Sequence, residues 1–198
     1  MWMSRTVSFR QMQHGTREDY LLLQRYEREF AAALPDRLLA ALGKLENSFE
    51  GYAVSRLGHS RQVATRALKD GADEELIVAA LLHDIGDDLA PYNHAEVAAA
   101  ILRPYVRAEV TWIVAQHGLF QNYYYAHHFG GNRHGRERLR DHPWYGACVR
   151  FCEAWDQCSF DADYPSEPLE RFEPMLRRIF TRPPHDPYYL NGTTEAAS

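Results

Sequence analysis

The segment Asp73-Glu74-Glu75-Leu76-Ile77-Val78-Ala79-Ala80-Leu81-Leu82-His83-Asp84-Ile85-Gly86-Asp87-Asp88 decides how this chain is read. It predicts a helix that starts after Asp73, runs through Ile77, Ala80 and Leu81 to Asp84, and stops at Gly86. The longest uninterrupted apolar run in the chain, Leu76 to Leu82, lies inside it and is far too short to span a bilayer. An Asp at the end of such a run is costly to bury without a partner, and a cation is the simplest one. Neighbouring helix residues point about 100° apart. His83 and Asp84 can therefore reach one pair of metal ions if the helix end bends, and Gly86 allows the bend.

Helical periodicity extends on both sides. Thr16 with Asp19 resembles a capping box before a helix from Arg17 to about Ala33, which Pro35 breaks. Further helices fit Arg37–Glu46, Val54–Leu68 with an Asp70-Gly71 stop, His94–Leu102, and Val106–His117 closed by Gly118. An irregular stretch runs from Leu119 to His142. Pro143 then opens a helix through Asp156, and a last one fits Leu169–Phe180 before Pro183-Pro184. Strand signals are sparse and no repeat is present, so the fold expected is all-α. The organisation expected is N-terminal helices over 1–51 that pack on or lid the core, a helical bundle over 52–182, and a tail over 183–198.

Length and composition bound the function. The 198 residues are 45% apolar and 25% charged, the mix of one globular domain. A net charge of −5 argues against a dedicated nucleic-acid binder. Met1 to Arg5 has no apolar core segment, so no secretory signal is expected. The three cysteines, Cys148, Cys152 and Cys158, match no zinc spacing and read as reduced thiols of a cytoplasmic protein.

The ten histidines are the unusual number, and their placement matters more than their count. His59, His83, His94 and His117 each lie in or beside apolar helical sequence, as do Asp84 and Asp156. Imidazole and carboxylate donors suit zinc, iron, manganese and related ions. The order His59, His83-Asp84, Asp156 resembles the HD superfamily of helical metalloproteins. With His94 and His117 added, it resembles the dinuclear branch of that superfamily. That branch includes cyclic-dinucleotide phosphodiesterases, myo-inositol oxygenase and phosphonate-cleaving mixed-valent diiron oxygenases. The resemblance implies one metal held by His59, His83 and Asp156, a second held by His94 and His117, and Asp84 bridging the two. His127 or His128 stands as a substitute for His94. The site would be dinuclear, with two iron ions in a mixed-valent pair, or manganese or another divalent metal in a hydrolase.

Many phosphohydrolases of the superfamily carry a lysine four positions after the first His of the His-Asp pair, where this chain has Asp87. An aspartate there repels phosphate. The segment Ala79 to Gly86, and His59 with Gln62, resemble the phosphonate-cleaving oxygenases. Those enzymes carry a lid tyrosine, and a glutamate three residues on, before the first ligand; here that stretch reads Phe49-Glu50-Gly51-Tyr52, leaving Glu50 and Tyr52 as the lid candidates. The expectation is a diiron oxygenase that uses dioxygen on a small polar, zwitterionic molecule. The alternatives are a phosphohydrolase of phosphate esters and a non-catalytic metal-dependent binding module. For substrate, Asp87 and the aromatics Tyr123 and Tyr124 suit a cationic group. Gln121 supplies hydrogen bonds, and Arg133 can clamp an anionic end. No membrane or nucleic-acid partner is expected.

Overall fold

The computed structural model describes residues 6–48 and 50–185. The expected tail therefore lies outside the described residues from 186 on, and Phe49 of the lid stretch lies outside them too. Eight α-helices carry the fold among the described residues: α1 (Arg17–Ala32), α2 (Leu34–Lys44), α3 (Arg56–Lys69), α4 (Glu74–Leu82), α5 (His94–Leu102), α6 (Ala108–Tyr125), α7 (Tyr145–Arg150) and α8 (Leu169–Phe180). The all-α expectation is met.

Helix α4 is the centre of the bundle. Every residue from Ile77 to Leu82 is buried, which is the fate of a helix that is apolar all round. It packs between α3, α6 and α8. Asp73 caps its start by accepting a bond from the Leu76 amide at 3.1 Å. Its last turn delivers His83 as C-cap. Helix α3 ends in a Schellman arrangement. Gly71 takes φ +73, the Gly71 amide bonds the Leu68 carbonyl, and the Ala72 amide bonds the Ala67 carbonyl. That tight stop turns the chain straight into α4, so the helix carrying His59 lies alongside the one that ends at His83.

Helix α1 contributes no buried residue and packs on α2. Its capping box is formed as expected, with the Thr16 hydroxyl accepting from the Asp19 amide and the Asp19 carboxylate accepting from the Thr16 amide. Thr16→Ala should loosen this end by about 1 kcal/mol. Helicity by circular dichroism should fall slightly while the core unfolds as before. A collapse of the whole transition would show that α1 is integral to the core.

Three expected boundaries are corrected. Pro35 is not what breaks α1, which ends at Ala32, but sits in the first turn of α2, where its missing N–H costs nothing. Gly118 does not close α6, which continues to Tyr125 and then into a 3₁₀ turn, Ala126–Phe129. A single glycine costs a helix only about 1 kcal/mol, and Phe120, fully buried against Trp112 and Tyr145, more than offsets it. The helix opened by Pro143 begins at Tyr145 and widens into a π-helical segment, Phe151–Asp156. His185, expected in the tail, is docked: its amide bonds the Pro104 carbonyl and its ring the Val106 carbonyl.

Candidate metal centre

Five separate segments bring the six expected ligands to one place. His59 comes from α3, His83 and Asp84 from the end of α4, His94 from the start of α5, His117 from the middle of α6 and Asp156 from the π-helical segment. Five of the six are buried, and His94 is half-buried.

The geometry centres on Asp84. Its Oδ2 lies 3.4 Å from His59 Nε2 and 3.2 Å from His83 Nε2. Its Oδ1 lies 3.4 Å from His94 Nε2 and 3.3 Å from His117 Nε2. The two carboxylate oxygens thus divide four imidazoles into two pairs. Asp156 Oδ1 joins the first pair, 3.2 Å from His59 Nε2 and 3.7 Å from His83 Nε2. Two groups have metal-ligand spacing, His59-His83-Asp156 and His83-Asp84-His117, and a third joins Asp84 and His94 with Asp87.

Each ring is turned by a hydrogen bond from its other nitrogen. Nδ1 of His59, His83 and His117 faces the carbonyls of Ser159, Ala80 and Val114 at 2.9, 2.8 and 2.7 Å. A carbonyl can only accept, so each Nδ1 carries the proton and each neutral ring presents an Nε2 lone pair to the centre. This is how metal-binding histidines are usually oriented. His59 Nε2 and His83 Nε2 then face each other at 3.1 Å. Two lone pairs at that distance need a proton or a metal cation between them. Asp156 Oδ2 is buried with no hydrogen-bond partner among the described residues. A facing lone-pair couple and an orphaned carboxylate oxygen are what a metal ion would satisfy, so these residues fit one.

Burial disfavours charge on His83, but Asp84 and Asp156 hold its pKa well above the ordinary histidine value, and His59 is raised in the same way. Burial would push Asp84 up, yet His83, His117 and His59 hold it well below the usual carboxylate range.

Beside the centre opens a cavity of about 330 Å³, within the size range of small-molecule sites. Its polar floor is His59, Asp84, His94, His117 and Asp156, and its walls include Tyr52, Tyr124, Tyr125, Phe160, Gln121 and Gln157. Phe160 stacks on His59 at 4.4 Å between ring centroids, and Tyr52 stacks on Phe160 at 4.7 Å. Gly118 also lines the cavity, and a Cβ there would meet nothing within 4 Å. The missing side chain leaves that volume open next to His117.

The expected substrate residues divide. Gln121, Tyr124 and Tyr52 line the cavity. Tyr123 and Arg133 do not: the Arg133 guanidinium lies 4.5 Å over the Tyr123 ring, with Arg136 also over that ring at 3.8 Å. An α6 that continues past Gly118 explains this, because Tyr123 and Tyr124 point about 100° apart on a helix. Glu50 is exposed and does not line the cavity. Asp87 is not free to meet a substrate cation. Its Oδ2 accepts from Arg56 Nε at 2.6 Å and its Oδ1 lies 3.1 Å from His94 Nδ1. His127 and His128 are exposed on their 3₁₀ turn and belong to none of the metal-spaced groups among the described residues.

Arg56 was missed from sequence. It precedes His59 by three positions, one helical turn, and that spacing was the available signal. Its Nη2 also bonds Asp84 Oδ2 at 2.7 Å. Gly86 lies in the turn that follows α4, with a φ that is not positive. Its role is close approach: a Cβ there would lie 2.8 Å from the His94 carbonyl oxygen, so glycine lets the turn after Asp84 press against the start of α5.

Residues 56–153 match the HD domain family. A curated protein of Leisingera caerulea, [1-hydroxy-2-(trimethylamino)ethyl]phosphonate dioxygenase (glycine-betaine-forming), is 33% identical over 89 residues, covering 39% of this chain and 45% of that protein. The chain thus spans less than half the length of that curated relative. No helix among the described residues is long and apolar enough to cross a membrane.

Proposed function

Because the chain carries an HD domain over residues 56–153, we propose that it is a dinuclear metalloenzyme, a non-heme diiron oxygenase acting on a small polar, zwitterionic molecule. The observation that carries the reading is the division of Asp84. One of its oxygens serves His59 and His83, and the other serves His94 and His117. Such a division would suit a carboxylate shared by two cations. In this reading His59, His83 and Asp156 would hold one ion and His94 and His117 the other.

The preference for an oxygenase rests on the relative, a dioxygenase by name. Iron bound at this centre supplies redox chemistry toward dioxygen, whereas manganese or another divalent ion would supply Lewis acidity to a hydrolase. The chain's own residues do the rest. Phe160 shields the His59 ring from water. Tyr52, Tyr124, Tyr125 and Phe160 offer aromatic faces to an organic cation such as the trimethylamino group in the relative's name. Burial raises the pKa of Tyr124 and Tyr125, so both keep their protons and can donate hydrogen bonds. Gln121 and Gln157 add amide groups that orient a polar substrate. The three free thiols suit a reducing, cytoplasmic setting.

The test is dioxygen uptake by anaerobically iron-loaded protein, given trimethylammonium phosphonates and betaines. Uptake matched by substrate loss, and absent under nitrogen, is the expected result. Release of phosphate from esters under nitrogen with manganese, and no uptake with iron, would replace the oxygenase by a hydrolase. Tight ligand binding with neither outcome would leave a binding module.

A further inference from the structure

Of the four imidazoles around Asp84, one is held differently. His59, His83 and His117 have side chains 0–3% exposed, and their Nδ1 atoms are fixed by backbone carbonyls at 2.7–2.9 Å. The His94 side chain is 24% exposed, and its nearest carbonyl, that of Pro91, is 3.3 Å away. This is the ring with room to turn. It is also the one whose Nδ1 meets a carboxylate, Asp87 Oδ1 at 3.1 Å.

Asp87 is held in turn. Arg56 reaches it through Nε at 2.6 Å and through Nη2. The same guanidinium bonds Asp84 Oδ2 at 2.7 Å. The contacts close a circuit: Asp84 Oδ1 to His94, His94 to Asp87, Asp87 to Arg56, and Arg56 back to Asp84 Oδ2. Arg56 spans the two carboxylates, opposes their mutual repulsion and fixes the distance between them. Gly86 brings the Asp87 turn within reach of α5, since a side chain there would strike the His94 backbone.

We infer that Asp87, clamped by Arg56, is the positioning residue for His94 and governs loading of the second metal ion without governing the first. The inference rests on the dinuclear reading above. A carboxylate behind an imidazole orients the ring and makes it a stronger donor than a carbonyl does, and losing such a partner typically costs about 10–100-fold in metal affinity. Among the described residues the circuit meets the first group only at Asp84 Oδ2, through an Arg56 bond that does not depend on Asp87. The first ion should therefore bind almost as before. Asp87 would thus act inside the protein rather than on a substrate.

The experiment is a titration of metal-free protein with Mn²⁺ or Co²⁺, read by free-metal EPR or cobalt absorption and by metal content after desalting. Wild type should take two ions. Asp87→Asn keeps the shape and removes the charge, and Asp87→Ala removes both. Each should bind the second ion about 10–100-fold more weakly, with the first within about threefold and the circular dichroism unchanged. His94→Gln marks full loss of the second position. If Asp87→Ala is too unstable to handle, Asp87→Asn alone decides. Two ions bound with equal affinity in wild type and Asp87→Asn would overturn this inference and leave the dinuclear reading intact. Equal weakening of both ions in a folded variant would do the same. One ion or none in wild type would overturn both.

Discussion

Asp84→Ala should leave the chain unable to hold either ion. Its Oδ2 lies 3.2–3.4 Å from the nitrogens of one histidine pair and its Oδ1 3.3–3.4 Å from those of the other. No other carboxylate among the described residues reaches both. Removing it leaves Asp156 as the carboxylate facing the first pair, and the second pair with only Asp87, which stands behind His94 Nδ1 and is paired with Arg56. The loss should exceed about 100-fold, the upper end of what an outer contact costs. Desalted protein should carry almost no metal, and dioxygen uptake should vanish with it. A ligand that binds only the folded state adds about 4 kcal/mol at a thousandfold excess over its Kd, so wild type should melt higher with metal and the variant should not respond. Two ions retained by a folded Asp84→Ala protein would mean that the ligands have been misassigned.

The centre was legible because its histidines and aspartates sit where polar residues otherwise should not. His59, His83, Asp84 and Asp156 lie in apolar helical sequence and are buried, and a single chain shows that conflict directly. The centre of the fold was legible for a related reason, since the run Ile77–Leu82 has no polar face to expose. The surroundings of the site were less so. Whether Asp87 faces a substrate or the protein depends on Arg56, which arrives from another helix, and no local pattern encodes that pairing. The π-helical segment that places Asp156 has no composition signal of its own. One of its bonds, from the Gln157 amide to the Cys152 carbonyl, spans five residues, and only packing selects that over four. The stretch after His117 was misread because Gly118 is a helix breaker by propensity, while the residue that overrides it, Phe120, acts through contacts with Trp112 and Tyr145.

That override sets the second large effect. Phe120→Ala should destabilise the chain by about 3–5 kcal/mol, or about 10 °C in melting temperature for a chain of this length. Phe120 is fully buried, with ring centroids 6.0 Å from Trp112 and 5.2 Å from Tyr145, and the Arg136 guanidinium lies 5.9 Å over it. Truncation leaves a void that these large rings cannot fill by small shifts. The damage should be directional. His117 lies before Gly118 and is held by the Val114 carbonyl, so both ions should still bind. Gln121, Tyr124 and Tyr125 lie after it, on the part of α6 that Phe120 anchors. With the anchor gone, Gly118 becomes a point where the helix can end, and the cavity loses that wall. Substrate binding, measured as the perturbation of the iron signal by added ligand, should weaken about tenfold or more, equivalent to about 1.4 kcal/mol. Urea unfolding and metal content measured on the same preparation separate the two effects. A loss below about 1 kcal/mol would mean that α6 beyond Gly118 stands on its own helix propensity. Loss of the ions together with the cavity wall would mean that Gly118 does not insulate His117 from the last turns of α6.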